Sequence, residues 1–281
     1  MNKAVKILDM DSDGLNMAAE GNFLFIRRNR AMYKYDLHDM SVAARAEVFK
    51  KDGKARGFSI CRSYIFLTDF CDLHILDKET LRVAESFRLG EDLTSDLGAV
   101  RFGAEKAYIC VRNGRMAVMD LATKAVVRYD ISDSSFWDHC VADGMIYAGT
   151  VKGELIKIGA RDMRILNKTN LCKKNIYSVV YDEGAVYTVS QDATVKSVAA
   201  DTFETLAAAK KAVRGMAKLL GTHGDTLAAA DSGQISLWNK HTLELLERFA
   251  FPTGAYNKGA ILHGGKLYGS DFSGVYVLTL E

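Results

Sequence analysis

Hydrophobic and polar residues alternate along most of this chain, in short runs that are separated by turn residues. From Gly224 to Ala250 the sequence GDTLAAADSGQISLWNKHTLELLERFA contains an apolar run, a glycine turn, an alternating run and a second turn. Successive side chains of a strand point to opposite faces, so Ile235 and Leu237 share one face and Trp238 lies on the other. The pattern predicts two β-strands joined by a tight hairpin.

A similar unit of strand, turn and strand occurs seven times along the chain. The other copies read FLFIRRNRAMYKYD, YIFLTDFCDLHILD, AYICVRNGRMAVMD, IYAGTVKGELIKIG, VYTVSQDATVKSVA and LYGSDFSGVYVLT. The positions that close the second strand are roughly 40 residues apart, at Asp36, Asp77, Asp120, Gly159, Ala199, Asn239 and Thr279. This period indicates a blade of four strands. We therefore predict an all-β fold, a seven-bladed β-propeller of four-stranded antiparallel blades, as a single domain over residues 1–281.

The first and last segments complement each other. The last copy stops after its third strand, and KAVKILDM precedes the first copy as an additional strand. We expect this strand to complete the last blade, because closure of the ring removes exposed sheet edges. In that pairing Val5 and Ile7 would lie beside Tyr276 and Leu278.

One segment has a composition that favours a helix. Between Asp201 and Leu220 the sequence DTFETLAAAKKAVRGMAKLL is rich in alanine and other strong helix formers. The register of the repeat instead predicts an outer strand, a loop and an inner strand. We give the register more weight, since the other copies define it and tertiary context overrides local propensity.

Dipeptides with glycine in second place mark the turn between the two strands in several copies. Tight hairpins need positive φ angles, which glycine and asparagine adopt readily. We expect positive φ angles at Asn113-Gly114, Lys152-Gly153, Ser232-Gly233 and Ser273-Gly274.

The dipeptides that close several copies resemble those of the WD-repeat propeller family. They are Trp238-Asn239, Tyr35-Asp36, Leu76-Asp77 and Met119-Asp120. The segment DGMIYAGTVKGELIKI is similar to the degenerate repeats of quinoprotein-like and surface-layer propellers. The resemblance covers nearly the whole chain and implies a propeller fold, but no family activity.

The composition and net charge of the chain narrow the classes of function to be expected. The 37 basic and 35 acidic residues leave a net charge of +2, so no global field favours nucleic acid. No run is long enough to span a membrane and no signal peptide is evident, so we expect a cytoplasmic protein. Five cysteines, at scattered positions, indicate no disulfide framework: Cys61, Cys71, Cys110, Cys140 and Cys172.

The predicted inner strands contain few groups suited to catalysis. They read GLNMAAE, GFSIC, GAVRF, DHCVA, YSVVY, GMAKLL and GAILH, with no ring of acids or histidines. His139 and Cys140 could suggest a base and a nucleophile, but adjacent strand residues point to opposite faces. Cys71 and His74 have a spacing that could suit a metal, with Cys61 nearby, but a fourth ligand is missing. We expect no catalytic residue, no metal and no cofactor.

Two sets of loops should share one rim of the ring, here called the loop face. They are the loops between the second and third strands of each blade and the connections between blades. Aromatic residues and arginine are enriched at interface hot spots. We expect contacts with a partner from Phe136, Trp137, His139, Tyr177, Tyr256, Phe272, Arg28, Arg30, Arg112, Lys173, Lys174, Lys210, Lys211 and Arg214. The alternative is that the aromatic residues plug the ring and the charges are merely solvated.

The charges of the loop face are mixed. Three lysine pairs form a basic side, at Lys50-Lys51, Lys173-Lys174 and Lys210-Lys211. Acidic residues oppose it, at Glu91, Asp92, Asp96 and Asp133. Nucleic acid favours one continuous positive surface, whereas complementary patches suit a protein.

We therefore predict a non-catalytic scaffold or adaptor that binds a protein or peptide on its loop face, as a monomeric propeller within a complex. One alternative is a small-molecule-binding or enzymatic propeller with a site at the channel mouth near His139. Another is a phosphate-bearing partner, RNA or a lipid head group, held by the lysine pairs.

Overall fold

The computed structural model describes residues 4–10, 14–28, 30–48, 55–69, 71–89, 97–111, 113–253 and 259–280. Within these ranges the chain forms seven four-stranded antiparallel sheets and no helix. The described part of the chain therefore contains no helix that could cross a lipid bilayer.

The strands follow one another in chain order, four to a blade. Blade 1 contains β2 (Gly14–Glu20), β3 (Phe23–Arg28), β4 (Ala31–Asp36) and β5 (Val42–Glu47); blade 2 contains β6 (Ala55–Cys61), β7 (Tyr64–Asp69), β8 (Asp72–Asp77) and β9 (Val83–Arg88). Blade 3 contains β10 (Leu97–Phe102), β11 (Lys106–Val111), β12 (Arg115–Asp120) and β13 (Val126–Asp130); blade 4 contains β14 (Phe136–Ala142), β15 (Met145–Thr150), β16 (Glu154–Gly159) and β17 (Ile165–Asn170).

The remaining blades have the same order. Blade 5 contains β18 (Ile176–Asp182), β19 (Ala185–Ser190), β20 (Val195–Ala199) and β21 (Thr205–Ala209); blade 6 contains β22 (Ala217–His223), β23 (Thr226–Asp231), β24 (Gln234–Asn239) and β25 (Leu245–Ala250). Blade 7 contains β26 (Ala260–His263), β27 (Lys266–Ser270), β28 (Gly274–Thr279) and β1 (Val5–Asp9). The first strands of neighbouring blades contact one another around the ring, so they are the innermost strands.

Blade 7 closes the ring as predicted, because β1 pairs antiparallel with β28. The register differs from the expected one. Val5 lies opposite Val277 and Lys6 opposite Tyr276, and the register shifts between Lys6 and Leu8. A bulge in a short edge strand moves its partners by one position, which alternation alone does not reveal.

The hydrophobic core is divided among the spaces between blades. Seven clusters of buried residues occur in the described part of the chain, and each joins two neighbouring blades. Phe66 of blade 2 packs with Ile109 of blade 3, and Leu24 of blade 1 packs with Tyr268 of blade 7. Burial of each large side chain of this kind stabilises the fold by about 2 kcal/mol. Middle strands such as β24 are therefore buried on both faces, and Trp238 is almost completely enclosed.

The acid that closes several repeats forms the turn between the third and fourth strands. Asp77 Oδ1 accepts hydrogen bonds from the Thr80 backbone nitrogen at 2.7 Å and from the Thr80 hydroxyl at 2.8 Å. Asp120 accepts the same two bonds from Thr123, at 2.7 and 3.0 Å. Bonds from the threonine backbone and side chain lower the pKa of both carboxyl groups. The recurring acid is thus explained by turn geometry.

The same turns contain residues in the left-handed region that the sequence did not indicate. In six blades the residue four positions after the closing residue has a φ angle between 56 and 64°, although none is glycine: Met40, Leu81, Lys124, Met163, Phe203 and Leu243. Leu81, Met163, Phe203 and Leu243 are buried. Their apolar contacts between blades offset the cost of the backbone conformation, which is about 1–2 kcal/mol for a residue with a Cβ.

The alanine-rich segment forms β21 and β22, as the repeat register predicted. Gly114, Gly153 and Gly233 have positive φ angles, also as predicted. Gly274 does not. It lies in β28, where a Cβ atom would be 2.2 Å from the carbonyl oxygen of Leu8. Glycine is needed there for the close approach of β1, not for the turn.

Candidate functional site

The loop face is held together by a hydrogen bond that recurs from blade to blade. A carbonyl in the turn between the second and third strands accepts the backbone N–H of residues that follow the outer strand. The pairs, with N···O distances of 2.8–3.0 Å, are Ile131 and Ser132 to Gly114, Leu171 and Cys172 to Gly153, Ala212 to Ala193, and Phe251 to Gly233. Each connection between blades is thus fixed to the turn beneath it.

Gly153 shows how closely the two loops approach. Its φ angle is +84°, and a Cβ atom there would lie 2.2 Å from the carbonyl oxygen of Cys172. No side chain fits at this distance. The connection at 171–175 therefore packs directly on the backbone of the turn in blade 4.

Asp192, in the turn between the second and third strands of blade 5, holds the backbone of the connection that precedes this blade. Asp192 accepts hydrogen bonds from the Ser190 and Thr194 hydroxyls at 2.5 and 2.6 Å and from the backbone nitrogen of Lys173 at 3.2 Å. Burial acts to raise the pKa of Asp192, but these hydrogen bonds together lower it below its ordinary value. The carboxylate stays charged and fixes Lys173 by its main chain.

Blade 6 repeats this arrangement. The buried Asp231 accepts a hydrogen bond from the Arg214 backbone nitrogen at 2.6 Å. The Ser232 hydroxyl donates to the Arg214 carbonyl oxygen at 3.1 Å. Both polar groups of the Arg214 backbone are therefore fixed, while its side chain is exposed.

Two aromatic residues occupy matching bulges on this face. The inner strand β14 shifts its register against β15 at Trp137, and β18 shifts against β19 at Tyr177. A bulge inserts one residue and redirects its side chain. The two rings meet across the boundary of blades 4 and 5, with centroids 5.3 Å apart and planes at 62°.

This aromatic pair is accessible. Trp137, in the inner strand β14, is 39% exposed, and Tyr177 is half-buried. Burial raises the pKa of the Tyr177 hydroxyl. The pair therefore offers an apolar surface to solvent.

Phe136 was predicted to contact a partner, and that prediction is wrong. Its side chain is only 6% exposed and packs in the core between blades 3 and 4, against Cys110 and Ile146. The bulge explains the difference, because it turns Trp137 outward while Phe136 stays on the inward side.

The predicted contribution of His139 to the loop face is also wrong. The side chain is completely buried between blades 3 and 4. Its Nε2 lies 3.1 Å from the carbonyl oxygen of Tyr108, and its Nδ1 lies 3.1 Å from the Cys110 sulfur. Cys140, the next residue, lines the central channel instead. His139 and Cys140 therefore point to opposite faces of the strand, and burial raises the pKa of the Cys140 thiol to about 12.

Five cations of the predicted set are exposed on two consecutive connections. They are Lys173 and Lys174 before blade 5, and Lys210, Lys211 and Arg214 before blade 6. Among the residues that the structure describes, none of these five side chains forms an ion pair. Lys152, on the neighbouring turn of blade 4, is paired with Asp133 at 2.9 Å.

The other predicted residues lie elsewhere on the face. Arg28 donates to the Tyr35 hydroxyl at 3.2 Å and lies over the Tyr33 ring. Arg30 is exposed on the same blade. Phe272 is 73% exposed on blade 7, which blade 6 separates from the aromatic pair.

Some predicted residues lie outside the described ranges. They are Tyr256 and Arg112 of the contact set, Lys50 and Lys51 of the basic side, and Glu91, Asp92 and Asp96 of the acidic side. The part of the basic side that the structure describes consists of Lys173 and Lys174 before blade 5, and Lys210 and Lys211 before blade 6.

Solved structures with a similar fold extend over nearly the whole chain. A chain of the mitotic checkpoint complex superposes with a TM-score of 0.81 at 11% identity and covers 99% of this chain and 91% of its own. The β-propeller domain of Cps50 (Swd1) from Myceliophteria thermophila has a TM-score of 0.76 at 14% identity and covers 99% and 98%. BamB from Moraxella catarrhalis has a TM-score of 0.66 at 16% identity and covers 95% and 83%.

This chain has the fold of a seven-bladed β-propeller. No protein-family profile and no curated protein sequence matches it. At such low identities the similarity concerns the fold of the propeller alone.

The central channel of the propeller contains a cavity of about 290 Å³ between the inner strands of blades 3 to 6. Its polar lining includes Arg101, Asp138, Ser178 and Lys218. Asp138 Oδ1 accepts from Arg101 at 2.9 Å, and Oδ2 accepts from the Ser178 hydroxyl at 3.0 Å. Both carboxylate oxygens are therefore occupied.

Metal binding has no support from the described residues, where no three His, Cys, Asp or Glu side chains come together in a suitable group. Arg101 and Lys218 were not among the residues predicted for a site. The signal was present, since each is a single charged residue in a predicted inner strand, GAVRF or GMAKLL.

Proposed function

We propose that this propeller is a non-catalytic scaffold that binds a protein or peptide partner on its loop face. One observation carries the proposal: Trp137 and Tyr177 form an accessible aromatic pair on two matching bulges. Partly exposed tryptophan and tyrosine in a fixed geometry are typical of interface hot spots.

The backbone of the loops supports the proposal. The connections on either side of blade 5 are bonded to turns through Gly153, Asp192, Ala193 and Asp231. A partner would therefore meet loops that are already ordered, and binding would incur little conformational entropy.

The test is a double substitution, Trp137→Ala with Tyr177→Ala. We expect a loss of thermal stability of only a few degrees, since both rings are partly exposed. Proteins that the wild-type chain recovers from a cell extract, identified by mass spectrometry, should no longer be recovered. Leu166→Ala is the matched control, because this residue is exposed on the outer strand β17.

Two results would contradict the scaffold. A large fall in melting temperature would assign both rings to the core. Unchanged recovery of the same proteins would show that the aromatic pair is not the contact surface.

A second candidate function is the binding of a small anion in the central channel. The observation that favours it is the presence of Arg101 and Lys218 around one cavity, where Asp138 is already engaged by Arg101 and Ser178. His139 does not line this cavity. Inorganic phosphate or citrate should then raise the melting temperature of the wild-type protein, and Lys218→Met should abolish that shift.

We propose a reducing compartment, the cytoplasm, as the location. The structure describes all five cysteines, and no disulfide joins them, which supports this proposal. We further propose that the propeller is a monomer within a larger complex, and sedimentation of the purified chain would test this.

A further inference from the structure

The acids and the cations of the loop face around blades 5 and 6 are segregated. Asp192 and Asp231 direct their carboxylates to backbone N–H groups and neighbouring hydroxyls. The nearby cations at 173–174 and 210–214 extend their side chains to solvent. Because the acids are engaged by the main chain, the cations have no acidic partner among the described residues.

Lysines near the opposite face behave differently. Four of them lie 2.5–2.9 Å from a carboxylate of a neighbouring blade: Lys34 with Glu79, Lys78 with Glu20, Lys157 with Asp201, and Lys240 with Asp182. These four lysines join neighbouring blades, and on the loop face Lys152 is likewise paired with Asp133. Five cations form no ion pair among the described residues: Lys173, Lys174, Lys210, Lys211 and Arg214.

The aromatic pair adjoins the first of the two connections that carry these cations. Tyr177 lies in β18, three residues after Lys174, and its ring meets Trp137. The two rings pack edge to face, with centroids 5.3 Å apart and planes at 62°, so they form one stepped apolar surface, whereas bases of single-stranded nucleic acid stack on flat, open ring faces. One apolar side chain can pack on this surface, and the cations suit carboxylates on either side of it.

We infer that the loop face binds an acidic peptide segment that carries an aromatic or long aliphatic anchor. The anchor packs on the exposed surface of the Trp137 and Tyr177 rings, and flanking Asp or Glu side chains pair with the cations of the two connections. This inference rests on the proposed function and specifies the chemistry of the partner.

The experiment uses the full chain and three short fluorescein-labelled peptides. The first is a run of Glu and Asp with a central Phe, the second has Ala in place of Phe, and the third keeps Phe but has Lys in place of each acid. Fluorescence anisotropy at low salt gives the dissociation constants. We expect the first peptide to bind at least ~10-fold more tightly than either of the others, and to weaken as salt is added.

Substitutions locate the site. Lys173→Glu with Lys174→Glu should weaken binding of the first peptide ~10-fold or more, and Trp137→Ala should do the same. The matched control is Arg161→Glu with Lys266→Glu, two exposed cations near the opposite face that change the net charge equally. This control should bind the peptide almost as the wild type does.

The outcomes separate the inference from the proposed function. Equal binding of the acidic and basic Phe peptides, or of the Phe and Ala acidic peptides, overturns the inference but leaves a docking scaffold. If the acidic Phe peptide does not bind at all, the inference is also overturned. The scaffold function is then still tested separately, by recovery of partner proteins from a cell extract. If single-stranded RNA or anionic vesicles bind through Lys173 and Lys174 while the peptide does not, the partner is phosphate-bearing and the inference is wrong.

Discussion

The imidazole Nδ1 of His139 lies 3.1 Å from the thiol sulfur of Cys110, in the completely buried space between blades 3 and 4. The other ring nitrogen faces the Tyr108 carbonyl, which can only accept. Nε2 must therefore donate, and Nδ1 accepts from the thiol. Burial first, and then the charge of Arg101, lowers the pKa of His139 to about 4.

The first prediction concerns acid stability. The unfolded chain protonates this histidine near pH 6.5, whereas the folded chain does so only near pH 4. Between these values the unfolded state binds the extra proton, so the free energy of unfolding falls as the pH falls. Protonation of His139 should lower the free energy of unfolding by about 3 kcal/mol in total over this range.

Urea unfolding between pH 7 and pH 4 tests this. His139→Gln keeps a donor and an acceptor, so the variant should fold but lose less stability than the wild type over the acid range. His38→Gln, at an exposed position, should follow the wild type. Identical slopes for all three proteins would refute the role of His139.

The second prediction concerns Gly153. Gly153→Ala should cost more than about 2 kcal/mol, because its Cβ would clash with the Cys172 carbonyl and its φ angle is positive. Gly144→Ala is the control, since Gly144 has a φ angle of +72° but open space around it. Denaturant unfolding should rank Gly153→Ala clearly below Gly144→Ala, and equal losses would contradict the close loop packing.

The third prediction concerns the link between blades 5 and 6 at the opposite face. The buried Lys240 ammonium lies 2.8 Å from Glu183 and 2.9 Å from Asp182. Lys240→Met should lower the free energy of unfolding by about 1–2 kcal/mol, a modest amount because solvent screens the exposed Glu183.

The pH dependence of this link has a definite sign. Hydrogen bonds to Glu183 and Asp182 raise the pKa of Lys240 above its ordinary value of 10.5. The contribution is therefore complete below that pH and is lost as the pH rises through the folded pKa. The difference between wild type and Lys240→Met should shrink in strong alkali, and a constant difference would count against the ion pair.

The fourth prediction concerns the potential at the aromatic pair. The chain has two tryptophans, of which Trp238 is only 1% exposed, so ionic quenchers reach Trp137. Iodide should quench the emission several-fold more effectively than caesium, and added salt should reduce the difference. Lys173→Glu with Lys174→Glu should reverse the preference. Equal quenching by both ions in the wild type would show that the loop face is not positive there.

Much of the fold follows from the chain itself. The spacing of Asp77 and Asp120 reveals the blades because each acid forms the same turn with a threonine. The alanine-rich β21 and β22 are strands because their place in the repeat outweighs helix propensity. These features depend on local patterns of period two and on contacts within one hairpin, which a sequence records directly.

The orientation of individual side chains at the site depended on the tertiary structure. Phe136 and Trp137 are neighbouring aromatics, and only the bulge in β14 decides which is buried and which meets Tyr177. His139 is enclosed because blade 3 packs on blade 4 and supplies Tyr108 and Cys110. A register shift of one residue moves each side chain of a strand to the opposite face of the sheet, although the sequence is unchanged. Packing between blades selects the register. These contacts join distant segments of the chain, so the alternation of polar and apolar residues within one strand does not predict them.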